Sequence, residues 1–197
     1  MLRDKLNGLK LILASSSPRR KLLLEGIDLD FSIEADGDVT EDFDESMDIQ
    51  KVPEYLAELK SDGFPRKLEN DEILITADTM VLCNNEILGK PQDRNDAINI
   101  LFKLSGKKHQ VLTGVFIRSN YNSRSFTATT DVYFRDLSRE EIEYYVDNYS
   151  PYDKAGAYGA QEWIGYIAIN RIEGSYFNVM GLPIQRLYLE LDKFLTK

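Results

Sequence analysis

The chain has 197 residues, 43% hydrophobic and 29% charged, the profile of one large domain or two closely joined lobes with a real core. Its 24 lysines and arginines against 33 acids give a net charge of −9, which argues against nucleic acid as a partner, since duplex binding needs a basic face to displace counterions. The single cysteine, Cys83, excludes an internal disulfide framework and a cysteine-rich zinc site, and its apolar setting reads as a core thiol.

Leu9 to Ala14 predicts a short buried strand, followed by Ser15-Ser16-Ser17 and a helix opened by Pro18. Ser17 suits the N-cap, Pro18 suits the first turn, and Leu22, Leu23 and Ile27 recur at helical spacing up to a stop near Gly26. Phe31 to Ala35 predicts a second strand, and an acidic loop runs from Asp36 to Asp48. Val52, Tyr55, Leu56 and Leu59 fall at i, i+3, i+4 and i+7, so residues 51–61 are expected as an amphipathic helix. Ile73 to Ala77 reads as a central strand ending at Asp78-Thr79, and Met80 to Leu88 as a hairpin turning at Asn84-Asn85. Asp93 to Leu104 predicts a helix, and His109–Arg118 and Phe126–Arg135 predict strands joined by a polar turn. Ser138-Arg139-Glu140-Glu141 is a capping box, Ile164 to Ile172 is expected as a strand, and Leu182 to Leu195 as a closing helix. The mixture makes the class α/β or α+β with a mixed sheet. Met1-Leu2-Arg3-Asp4-Lys5 lacks the apolar core of a secretory signal. No apolar run approaches the ~20 residues of a membrane span, so the expectation is a cytoplasmic protein with no membrane partner.

Four places offer chemistry. Ser15-Ser16-Ser17-Pro18-Arg19-Arg20 puts a serine-rich turn and two arginines at a helix N-terminus, where amide N–H groups and the dipole favour an anion. A capped surface helix with solvated arginines would read the same way. No Walker loop occurs, which argues against a P-loop enzyme. Asp78-Thr79 places a carboxylate at the carboxyl end of an apolar strand, where open α/β sheets bind ligands, or where an aspartate merely caps a turn. Gly89-Lys90-Pro91 presents a lysine on a stiff turn, although a lone turn lysine is commonly a solvated charge. Tyr152 to Gln161 is dense in small residues and ends in an amide able to read a base edge; Gly174 to Pro183 is either a second binding loop or a plain turn. His109, the sole histidine, reads as structural, and with it triad chemistry lacks parts. Arg118 lies in a strand outside every motif.

In this order the segments resemble the Maf family, also called septum-formation-inhibitor-like proteins. The resemblance is carried by Ala14 to Arg20 (A-S-S-S-P-R-R), Ala77-Asp78-Thr79, Leu88-Gly89-Lys90-Pro91, Leu104-Ser105-Gly106, His109 to Val115 around Thr113-Gly114-Val115, Asp153 to Gln161 (D-K-A-G-A-Y-G-A-Q) and Gly174 to Pro183. They cover residues 9–195, nearly the whole chain, read as a single domain. The resemblance implies an elongated α/β fold with a central mixed sheet flanked by helices, and a cleft between two lobes. It also implies hydrolysis between the α- and β-phosphates of a nucleoside triphosphate with Mg²⁺ or Mn²⁺. On this pattern Asp78 is the catalytic base, and Glu41 with Asp78 holds the metal. Arg19 contacts substrate, and Ser15, Ser17, Arg20, Lys60 and Lys90 bind the triphosphate. Members acting on dTTP and UTP pair A-D-T with D-K-A-G-x-Y-x-x-Q, so Thr79 and Gln161 place this chain with them as the residues that read the pyrimidine. A homodimer and a non-catalytic role in regulating septum formation are left open. The chain departs from the pattern in three places. The loop from Asp36 to Glu45 is longer and more acidic than usual, which defines Glu41 only to within a few residues. Ser61 follows Lys60 where alanine is usual, and Glu162-Trp163 follows Gln161 in place of glycine.

Overall fold

The computed structural model describes residues 1–35, 39–44 and 46–196. The elements are α1 (Leu2–Lys5), β1 (Lys10–Ala14), α2 (Pro18–Glu25), β2 (Phe31–Glu34), α3 (Val52–Asp62), β3 (Glu72–Cys83), β4 (Glu86–Leu88) and α4 (Arg94–Leu104). They continue with β5 (Lys108–Arg118), β6 (Ser123–Phe134), α5 (Arg139–Tyr149), a 3₁₀ turn (Ala155–Ala157), α6 (Trp163–Ala168), β7 (Ile169–Glu173), α7 (Tyr176–Val179) and α8 (Ile184–Leu195). The strands form one mixed sheet in the order β2-β1-β3-β5-β6-β7, with β4 paired to β3, and helices flank it: an α/β fold. No described helix is long and apolar enough to cross a membrane.

The chain divides into two compact units. The first comprises Met1–Asp78, Thr113–Ala128 and Gly181–Lys197; the second comprises Thr79–Leu112 and Thr129–Met180. In the first unit β1 is parallel to both β2 and β3, in register Leu11↔Phe31 and Leu11↔Ile73. Buried on both faces, Leu11 to Ala14 form an unbroken apolar run, as parallel strands do. Gly114 on β5 meets the start of α3 backbone to backbone: a Cβ there would lie 2.1 Å from the Pro53 carbonyl carbon. Leu22 departs from the sequence expectation, because α2 turns Leu23 and Leu24 inward and leaves Leu22 to solvent.

The second unit packs α4, α5 and α6 around Leu101, Leu104, Ile142, Val146 and Ile164. Cys83 is in this core, and burial pushes its thiol up. The Asn84-Asn85 hairpin forms with φ of 51° and 63°, the positive angles of a type I′ turn. The strand expected over 164–172 is a correction. Only Ile169–Glu173 is strand, while Trp163–Ala168 is helix, with Ile164 and Ala168 buried at i and i+4. Gly165 lies directly on the backbone of Ala160, where a Cβ would come within 1.9 Å of the carbonyl oxygen, and this close packing selects a helical turn.

His109 is buried with Nε2 2.8 Å from the Tyr158 hydroxyl and its ring edge-on to Phe134 and Tyr158. Burial pushes the imidazole down to about 4 from 6.5, so the folded protein holds it neutral. Between those values the unfolded chain binds the proton and the folded chain does not. Stability therefore falls as pH falls across that window, by about 1.4 kcal/mol per pH unit for one group. His109→Gln keeps an amide able to reach Tyr158 and is expected to remove this part of the slope. Urea unfolding of both proteins at about pH 5 and about pH 7 measures it, and equal slopes would contradict a neutral buried ring.

Candidate active site

The site in the first unit starts with two strands of unequal length. The last register pair between β1 and β3 is Leu13↔Ile75, after which β1 ends and turns into α2 while β3 continues to Cys83. Asp78 is thus inside a strand, not at its end, a correction to the sequence reading. It still lies beyond the carboxyl end of its parallel neighbour, the place where such sheets bind ligands.

Asp78 Oδ1 receives the Lys60 ammonium at 2.5 Å, both side chains being only 11% exposed. Glu41 Oε1 meets the same nitrogen at 2.9 Å from the loop after β2. Two carboxylates therefore converge on one cation, and Asp78 Oδ2 makes no hydrogen bond among the described residues. Burying a lysine this deeply would be costly without such partners, and the two carboxylates supply them.

Lys60 is held in place by the setting of α3. The Thr76 hydroxyl, fully buried two residues before Asp78, donates to the Ala57 carbonyl at 2.6 Å and pins the helix to β3. Arg118 Nη2 donates to the Ser61 carbonyl at 2.5 Å, satisfying a carbonyl at the end of the helix. Arg118 is therefore not remote from the motifs, as its sequence position suggests, but adjoins the residue after Lys60. Thr76 was visible as a lone hydroxyl in an apolar run; nothing in the sequence pointed to Arg118.

The second cluster of this unit joins β1 to α2. Ser15 is buried, and its Oγ accepts both the Ser17 amide and Arg20 Nη1, each at 3.3 Å. Arg20 Nε also donates to the Gly181 carbonyl at 2.9 Å, which fixes the guanidinium. Ser17 takes the N-cap position with Pro18 at N1, but its side chain makes no capping hydrogen bond; the Ser15 hydroxyl secures the turn instead. Arg19 lies on the first helical turn, partly exposed.

The second unit carries the remaining predicted residues. Thr79 follows Asp78 on β3 and is partly exposed. Lys90 is exposed on its turn, and the Gly89 carbonyl accepts the Gly156 amide at 3.1 Å, tying that turn to the 153–161 loop. Gly156 needs its φ of 71° and its missing side chain, since a Cβ would press on Val81 of β3 at 2.9 Å. Gln161 ends the loop with its side-chain Oε1 buried and without a hydrogen-bond partner among the described residues. Among the described residues no group of three or more His, Cys, Asp or Glu is placed to hold a metal ion.

The sequence matches the family described as Maf-like protein over residues 10–194. A Porphyromonas gingivalis protein named dTTP/UTP pyrophosphatase is 51% identical over 193 residues, covering 97% of each chain. Proteins of the same name from Bacteroides thetaiotaomicron and Phocaeicola vulgatus are 50% and 47% identical, covering 95% and 96% of this chain and 97% and 98% of their own. With near-complete coverage on both sides and the Asp78 and Arg20 clusters in place, the chain belongs to the Maf-like protein family.

Proposed function

We propose that this chain hydrolyses dTTP and UTP between the α- and β-phosphates, releasing the nucleoside monophosphate and pyrophosphate with the help of Mg²⁺ or Mn²⁺. The observation that carries the reading is the Glu41–Lys60–Asp78 cluster, two carboxylates directed at one cation and braced from behind. This donor set fits a hard divalent ion, since Mg²⁺ is commonly held by one or two carboxylates, with waters and substrate phosphate oxygens completing its shell. When bound, the cation supplies positive charge to the phosphate oxygens as the anhydride bond breaks.

The protein's own groups do the rest. Asp78 directs one oxygen to Lys60, leaving the other to orient the attacking water and take its proton. Lys60 orients the Asp78 carboxylate and adds charge for the phosphates. Ser15 spends both lone pairs on Ser17 and Arg20, which leaves its O–H hydrogen to donate to a phosphate oxygen. Arg19, Arg20, Ser17 and Lys90 bind the triphosphate, and Thr79 and Gln161 read the base. The relatives' shared name supports the choice of dTTP and UTP.

Nucleoside triphosphates incubated with Mg²⁺ or Mn²⁺ should yield pyrophosphate and not orthophosphate. Nucleotide recovered unchanged after binding would point instead to a non-catalytic regulator. Arg19→Ala is expected to lower kcat/KM by about 10²-fold, the cost of one preorganised donor. Arg139→Ala, which removes a surface ion pair with Glu143, should stay within about two-fold. Equal losses would reduce the Ser-Pro-Arg-Arg segment to a capped surface helix.

A further inference from the structure

We propose that Glu162 is a positioning residue for base selection, fixing the 153–161 loop so that the Gln161 amide keeps a single orientation. The proposal rests on the pyrimidine reading above. Glu162 follows Gln161 directly and stands at the N-cap of α6. One of its carboxylate oxygens accepts from the Tyr145 hydroxyl, and the other lies 3.2 Å from the Lys154 ammonium. Tyr145 is fully buried on α5, and its hydroxyl in turn accepts the Gly159 amide at 3.0 Å. Burial and the neighbouring carboxylate push this phenol up, so it remains a donor to Glu162. Gly159 closes the loop over the carboxylate, where a Cβ would lie 2.7 Å from the Glu162 carboxyl carbon. Lys154 is itself buried and also pairs with Asp153 at 2.6 Å.

One carboxylate therefore gathers the start of the loop through Lys154 and its middle through Gly159 and Tyr145. The loop's end, Gln161, is its covalent neighbour. The Gln161 carbonyl oxygen is buried with no donor among the described residues. An orphaned buried acceptor turns to find a partner unless its backbone is held, and here the held backbone keeps it for a ligand. The N3–H of uracil or thymine is a donor of the right kind. The Glu162-Trp163 departure from the family pattern thus has a physical role, as a brace behind the specificity residue.

Three variants test this: Glu162→Ala, Tyr145→Phe, which deletes only the linking hydroxyl, and Glu162→Gln, which keeps an acceptor for Tyr145. Kinetics on dTTP, UTP, ATP and GTP are read beside a thermal melt. Glu162→Ala and Tyr145→Phe are expected to raise KM for dTTP and UTP about 10-fold with kcat within about two-fold. The preference for pyrimidines over purines should shrink by a similar factor. Glu162→Gln should restore most of that preference. Unchanged KM and preference in both disruptive variants would overturn the proposal. So would losses of kcat that are equal for all four nucleotides and track the melting temperature, the mark of a purely structural role. If Glu162→Ala does not fold, Tyr145→Phe alone decides. A wild-type enzyme with no pyrimidine preference would overturn the underlying reading, and that arm is scored before any variant.

Discussion

Asp78→Asn is expected to fold like the parent protein and to lose about 10²-fold or more of its turnover. The amide has the shape of the carboxylate, and its oxygen can still accept from Lys60. Lys60 also keeps Glu41 at 2.9 Å, so the substitution leaves no ammonium buried without an anion. What disappears is the negative charge. An amide does not take a proton from water at neutral pH, and it is a poorer ligand for a hard cation than the carboxylate it replaces. A melting temperature close to wild type, together with pyrophosphate release near the detection limit, would separate chemistry from folding. If Asp78→Asn kept more than about a tenth of wild-type turnover, the assignment of the base would be wrong.

Much of this arrangement could be read from local pattern, and the parts that could not have a common cause. The 3.6-residue periodicity of Val52, Tyr55, Leu56 and Leu59 marks α3 as a helix, although the face it buries is Val52, Pro53, Leu56, Ala57 and Ser61, and Tyr55 is left exposed. The capping box at Ser138 and the Asn84-Asn85 turn are equally local, and both form. Trp163 to Ala168 misled because a short apolar run with a glycine suits either element, and a non-local contact, Gly165 on Ala160, decides between them. β3 outruns the expected strand for a related reason. Thr76, Asp78 and Thr79 look like the polar end of a strand, yet the Thr76 hydroxyl bonds Ala57 and the Asp78 carboxylate bonds Lys60, which lets the strand continue. The motifs around Asp78 and Arg20 were legible as chemistry, but the partners that orient them lie 18 and 161 residues away, outside any local window. Arg118 shows the same limit, since it reaches Ser61 across 57 residues.

The substrate ranking should follow from what Gln161 offers. Uracil and thymine each present two carbonyl acceptors flanking one N3–H donor, and a glutamine amide supplies both an acceptor and a donor. The Gln161 carbonyl oxygen, buried without a partner among the described residues, is matched by that N3–H. Cytosine lacks a hydrogen at N3, and its N4 amino group reverses the pattern at position 4; purines add a second ring. A site built to hydrogen-bond one pattern rejects analogues by up to ~10⁴-fold, because its own polar groups are left unpaired. We therefore expect dTTP and UTP above CTP, and CTP above ATP and GTP, ranked by kcat/KM. Gln161→Glu should cut activity on dTTP, since an ionised carboxylate cannot donate to a base carbonyl and adds a charge that must be desolvated. The same variant should gain ground on CTP relative to dTTP, because the cytosine amino group can donate to it. A preference for a purine triphosphate in the wild-type enzyme would remove the pyrimidine assignment while leaving pyrophosphate release as the reaction.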